Sequence, residues 1–163
     1  MNTQKGFTLI ELLVVVAIIG MLASIILIGL LPARTFGRDA RRVSDLRNIQ
    51  NVLELYYSKN GAYPNATSCG NSTGGGAQAS NWTDLGTCLG PTGANLIQTL
   101  PNDPNSANGA TYAYGSADGS TYALHAVLEN QNNQVLKDAP SGQINGMTCD
   151  HTAAPWNYCV LNP

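Results

Sequence analysis

Glu11 is the only charged side chain in the 27 residues from Phe7 to Ala33, FTLIELLVVVAIIGMLASIILIGLLPA. A helix rises about 1.5 Å per residue and needs roughly 20 apolar residues to cross the hydrocarbon of a bilayer, so residues 7–31 are long enough to span. A carboxylate in such a span costs about 2.5–3.5 kcal/mol at the bilayer centre and less near an end. Pairing with a cation would offset that cost, yet no Lys or Arg lies between Phe7 and Ala33. Lys5 and Gly6 stand just before the run. A cut after Gly6 would create a new cation, the α-amine of Phe7, four residues from Glu11. That amine could meet Glu11 of its own helix, or Glu11 of a neighbouring helix and so set the stagger of a polymer. A third reading leaves Glu11 as an interfacial acid without a partner.

The other reactive residues say less. Cys69, Cys88, Cys149 and Cys159 all lie in the second half of the chain. Four cysteines allow three pairings, and none of the spacings is a C-x-x-C zinc pattern. Behind an exported segment disulfides are expected, and sequence neighbours favour Cys69–Cys88 with Cys149–Cys159. His125 falls in a strand candidate and is expected to be structural, and no G-x-S-x-G elbow is present, so no catalytic triad and no enzyme activity is argued. The run Gly74–Gly76 lacks the strand and helix that a phosphate cradle needs. Three N-x-S/T sequons, at Asn65, Asn71 and Asn81, leave glycosylation open.

These residues need a scaffold. The chain has 163 residues, 11% of them charged, with a formal net charge of -2. That excludes the basic footprint of a nucleic-acid binder. The apolar run is too long for an ordinary secretory signal, and no small-residue cleavage site follows it. Charge returns abruptly at Arg34, Arg38, Asp39, Arg41, Arg42, Asp45 and Arg47. This cluster reads as a solvated helix face, or as one that tracks lipid headgroups or neighbouring subunits. It sits against the positive-inside tendency for a chain whose amino end is cytoplasmic. Val43, Leu46, Ile49, Leu53 and Tyr56 recur at steps of three and four, the stripe of an amphipathic helix. Asn60–Gly61 and Pro64 supply its stop. One helix is therefore expected over about residues 7–59, with an apolar half to residue 33 and an amphipathic half over 34–59. Gly29 and Pro32 should kink or interrupt it.

Residues 65–95 read as loop, and a short helix or turn is expected at Leu96–Leu100. Strands are expected at 110–114 and 122–128 around a turn at 116–120, with a third short strand at 134–136. The segment CDHTAAPWNYC between Cys149 and Cys159 reads as a small loop that pins the carboxyl-terminal region to the sheet, the alternative being one that presents Trp156 to a partner.

The stretch KGFTLIELLVVVAIIGMLA resembles the leader and helix start of type IV pilins and type II secretion pseudopilins. The later LPNDP followed by G-x-x-Y-x-Y resembles the globular part of major pseudopilins. The resemblance implies an α+β, pilin-like fold, with a long amino-terminal helix packed on a small antiparallel sheet with disulfide-closed loops. It implies a leader over 1–6, a transmembrane or filament-core segment over 7–33, an amphipathic half over 34–59 and a globular domain over 60–163. It also implies cleavage between Gly6 and Phe7 by a prepilin peptidase, N-methylation of Phe7, and neutralisation of the Phe7 amine by Glu11 of an adjacent subunit. Its partners would be copies of itself, an inner-membrane assembly platform, minor pilins and, before assembly, the membrane. The family's frequent proline about 21 residues after the mature start is Ile28 here, with Pro32 one turn later. No cofactor is expected. Calcium, held in loops of some major pseudopilins, would draw on Asp103, Asp118 and Asp138, but no D-x-D-x-D-G loop is present.

Overall fold

The structure is a computed structural model that describes residues 6–65 and 81–163, and at 27–31 the helical backbone. Helix α1 runs Leu9–Asn60, 52 residues, close to the expected 7–59. The chain divides into two compact units, one ending at Phe36 and one spanning Gly37–Pro163.

In the first unit the apolar stretch Leu9–Ile26 has a mean hydropathy of 2.8, and none of it is buried. Such a surface is stable only against lipid or against other apolar helices. Pro32 lies inside α1, and the helix continues beyond it. The Thr35 hydroxyl donates to the Pro32 carbonyl at 2.8 Å.

In the second unit the expected stripe is the buried one. Leu46, Ile49, Leu53 and Tyr56 face the core, each large side chain contributing about 1.5–3 kcal/mol by burial. The helix ends as its sequence requires: Gly61 takes a φ of +71°, and its N–H donates to the Tyr57 carbonyl at 2.8 Å.

The sheet has three antiparallel strands, β1 (Ala113–Gly115), β2 (Ala123–Leu128) and β5 (Trp156–Leu161), in the order β1-β2-β5. Ala113 pairs with His125, and Leu124 pairs with Val160. A two-residue hairpin, β3 (Gln143–Ile144) and β4 (Met147–Thr148), stands apart. Its Asn145–Gly146 turn has both φ values positive, 49° and 81°, the primed turn that suits strand twist.

Three expectations change. Residues 134–136 form a 3-10 turn capped by the Asn133 side chain, not a strand. The third strand is instead Trp156–Leu161, so the tail is part of the sheet, not a loop laid against it. Within the expected loop at 65–95 lies helix α2, Trp82–Leu89, whose start is capped by Asn81 accepting from the Asp84 N–H. Leu85, Cys88 and Leu89 recur at steps of three and four and are buried, a signal masked by the surrounding Gly, Asn and Thr. Gly86 leaves room for Leu100, whose Cδ1 would lie 3.2 Å from an added Cβ. Leu96–Leu100 is not helical; the N–H groups of Leu96 and Ile97 both donate to the Leu89 carbonyl, at 2.8 and 3.2 Å.

Candidate assembly and docking sites

At the amino-terminal site, Phe7 is 89% exposed and Gly6 precedes it outside the helix. Thr8 is the last residue before the helix. Its N–H and its hydroxyl both donate to Glu11 Oε2, at 2.8 and 2.7 Å. The Glu11 N–H returns a bond to the Thr8 hydroxyl at 3.3 Å. This reciprocal arrangement is a capping box. Its sequence signature, Thr8-Leu9-Ile10-Glu11, is legible as T-x-x-E, beside the stronger signal of a lone charge at Glu11. The carboxylate therefore has a partner in its own chain.

A second constellation links α1 to the head. Arg42 is 1% exposed and Asp39 is 0% exposed. Arg42 Nε and Nη2 donate to the two oxygens of Asp103, at 2.8 and 2.9 Å. Its Nη1 reaches Asp39 Oδ1 and Glu129 Oε1, each at 2.8 Å. Asp39 also accepts the backbone N–H groups of Glu129 and Asn130 at 3.0 and 2.9 Å. Arg38 forms a fork with Glu129, Nε to Oε1 at 2.7 Å with Nη2 on Oε2. The cluster holds two guanidinium groups and three carboxylates, so every charge has an opposite neighbour. Burial alone would raise the Asp103 carboxyl and lower Arg42. Their mutual bonds win, holding Asp103 below its usual range and Arg42 above its own. Arg38 likewise holds Glu129 low.

From sequence these residues read as a solvated face, or as one toward lipid headgroups or neighbouring subunits. Arg38, Asp39 and Arg42 instead tie the helix to the loops around Asp103 and Glu129. Further down α1, Asp45 accepts from the Tyr112 hydroxyl at 2.8 Å. Glu54 accepts from Tyr63 and Tyr122, and Gln50 donates to the Leu161 carbonyl at 2.8 Å. Burial and Glu54 push the Tyr63 hydroxyl up to about 12.

The remaining candidates separate. Cys149 and Cys159 form a disulfide. Cys88 is disulfide-bonded too; Cys69, its expected partner, lies outside the described residues, as do Asn71 and Gly74–Gly76. Asp103 spends both oxygens on Arg42, whereas Asp118 accepts from Ser120. Among the described residues no three His, Cys, Asp or Glu side chains converge as metal ligands. His125 Nε2 contacts Asn157 Oδ1 at 2.9 Å, and burial lowers its pKa. Neutral at ordinary pH, it donates to Asn157, a structural role.

An apolar helix headed by this capped acid, and a small disulfide-closed α+β head, resemble the parts of type IV pilins and pseudopilins. The prokaryotic N-terminal methylation motif matches residues 1–27. Type II secretion system core protein G of Escherichia coli (strain K12) is 39% identical over 63 residues, covering 39% of this chain and 43% of that protein. The Vibrio cholerae protein of the same name is 39% identical over 64 residues, 39% of this chain and 44% of its own. The type IV wide pilus major component PilA4 of Thermus thermophilus is 41% identical over 63 residues, 39% of this chain and 48% of its own. The chain thus spans under half the length of these relatives. No solved structure matches it.

Proposed function

We propose that this chain is a structural subunit of a type IV pilus-like filament. It enters the inner membrane through α1, is cut between Gly6 and Phe7, is methylated on Phe7, and then packs α1 into a fibre core made of copies of itself. The carrying observation is the apolar span Leu9–Ile26, none of it buried among the described residues, with an acid in its first turn. A prepilin peptidase, an inner-membrane assembly platform and minor subunits would act on the chain; the chemistry is done to it, not by it. Gly29 and Pro32 mark where α1 would loosen on packing. A second reading, a subunit of a secretion pseudopilus, is favoured by the relatives named core protein G and by the L-P-N-D-P segment that holds Asp103.

Mass spectrometry of the native subunit tests the processing: loss of residues 1–6 with one methyl on Phe7 is expected, and an intact Met1 in assembled material would refute it. Electron microscopy of cells with and without the gene separates the two assemblies. Long surface fibres support the pilus; a secretion defect without fibres supports the pseudopilus.

A further inference from the structure

Strand β5 is an edge of its sheet. It pairs with β2 on one side and, among the described residues, with no strand on the other. Every second residue of such a strand sends its N–H and C=O outward. Among the described residues no backbone bond outside the sheet uses residues 156–161; the Leu161 carbonyl takes a side-chain bond from Gln50. Natural sheets blunt their edges with charge, Pro or a bulge. β5 reads WNYCVL, without a charge or a proline, and its register with β2 runs unbroken over six pairs. Its aromatic and β-branched residues favour further pairing.

A groove of about 390 Å³ follows this edge, a volume in the range of ligand sites. Tyr158, Cys159, Val160 and Leu161 line it in unbroken succession. Successive side chains of a strand point to opposite faces, so a groove that meets all four meets the edge and not one face. Arg47 of α1 and Asp138 of the loop after residue 136 also line it, and both are exposed. Arg47 donates to a neutral partner, Gln50 Oε1, at 2.9 Å. Its charge opposes the rise that burial imposes on the Tyr158 hydroxyl. Asp138 makes no hydrogen bond among the described residues. Neither Arg47 nor Asp138 forms an ion pair there, with each other or with any other side chain.

From this open edge and these two unmatched charges we infer that the groove binds an extended peptide segment of another protein, added as a strand beside β5. The guest backbone takes up the outward N–H and C=O groups of β5. A carboxylate of the guest meets Arg47, and an ammonium or guanidinium meets Asp138. The pair of opposite signs decides against a purely anionic guest, such as a phosphate or a lipid headgroup, which would face Asp138 as a like charge. A second copy of this chain is the poorer occupant, because its described strands are already committed to its own sheets. The inference does not rest on the filament reading and is the same for a pilus or a pseudopilus.

The test uses the detergent-solubilised full-length chain and two fluorescent hexapeptides, Lys-Val-Thr-Val-Thr-Glu and its charge-reversed form Glu-Val-Thr-Val-Thr-Lys. Anisotropy should show saturable one-to-one binding of at least one of them, with slowed amide exchange along β5. Two versions of the bound peptide, N-methylated at odd or at even positions, separate its two edges. The version blocked on the pairing edge should bind about tenfold more weakly, and the other should bind like the parent. Arg47→Gln and Asp138→Asn should each weaken binding about tenfold and leave the denaturation midpoint of the head unchanged. No saturable binding of either peptide would overturn the proposal. So would binding that ignores both N-methylated forms, or binding that ignores both substitutions. Sedimentation of the chain without peptide checks the rival occupant. Oligomers that the peptide disperses would assign the edge to a second copy and overturn the assignment to another protein.

Discussion

Arg42 and Asp103 meet in a two-pronged ion pair across 61 positions of sequence, with bonds of 2.8 and 2.9 Å and both side chains 1% exposed. The Arg comes from α1 and the Asp from the L-P-N-D-P segment, so the pair fixes where the head sits along the helix half it covers. Breaking a buried pair on one side leaves an uncompensated charge and costs about 3–5 kcal/mol. Asp103→Ala should therefore lower the denaturation midpoint of the head strongly. Replacing both partners by apolar residues of similar volume should cost much less. Equal losses in the single and the double variant, measured by chemical denaturation, would show that the pair is not the unit of stability.

Acid should loosen the same joint. Asp103 and Glu129 are both held below their ordinary values by Arg42 and Arg38. A carboxyl whose folded pKa is depressed binds its proton more readily in the unfolded chain. Its contribution is complete above the usual carboxylate range and disappears as pH falls through the lowered folded value. The midpoint of unfolding should hold steady from neutrality down to about pH 5 and then fall. Glu129→Gln should flatten part of that fall, and an unchanged acid profile would remove Glu129 from the account.

At the alkaline end the tyrosines reverse the sign. Tyr63 is raised to about 12, so its hydroxyl bond to Glu54 is complete below the ordinary tyrosine range near pH 10 and is lost as pH rises toward 12. Ultraviolet titration should show a late tyrosinate step that moves to lower pH in Glu54→Gln.

Glu11→Ala should leave membrane insertion intact and block assembly. Glu11→Gln separates the two roles of this side chain. Gln can still close a capping box with Thr8 but cannot neutralise an amine. If Glu11→Gln assembles like the wild type, the cap is what matters; if it fails like Glu11→Ala, the charge is.

Removing the Cys149–Cys159 bridge by a double Ser substitution should cost about 3 kcal/mol by the chain-entropy account of a loop with a sequence separation of 10. Most of that should appear as exposure of β5, read as faster amide exchange at Tyr158 and Val160. Peptide mapping without reductant should recover Cys69 linked to Cys88, and a Cys69 linked elsewhere would correct that pairing.

Much of this architecture is legible locally. The apolar run, the stripe Leu46–Ile49–Leu53 and the stop at Asn60–Gly61 are periodic signals within a few residues of one another, and they define α1. Strand β2 shows itself by alternation at Ala123–Leu128. The missed elements depend on distance. Arg42, Asp39 and Asp103 look like surface charge until the fold brings them together, because ion pairing across 61 positions has no period. Strand β5 was hidden by the cysteines around it, which suggested a loop when Cys159 is itself a strand residue. Helix α2 was obscured by composition, although Asn81 and Asp84 carry an ordinary helix start. The capping box at Thr8 and Glu11 is local and legible as T-x-x-E, and the lone charge in an apolar run masks it.

The strand order β1-β2-β5 has a temporal consequence. β2 is central, and its outer neighbour is not made until residue 156. A chain that emerges amino end first holds its apolar helix in place while β2 waits with one side open. The head then closes in a single late event, when Trp156–Leu161 arrives and Cys159 comes within reach of Cys149. Until that moment the head is unfinished, and on the filament reading insertion of the helix would precede the time at which the chain could be added to anything.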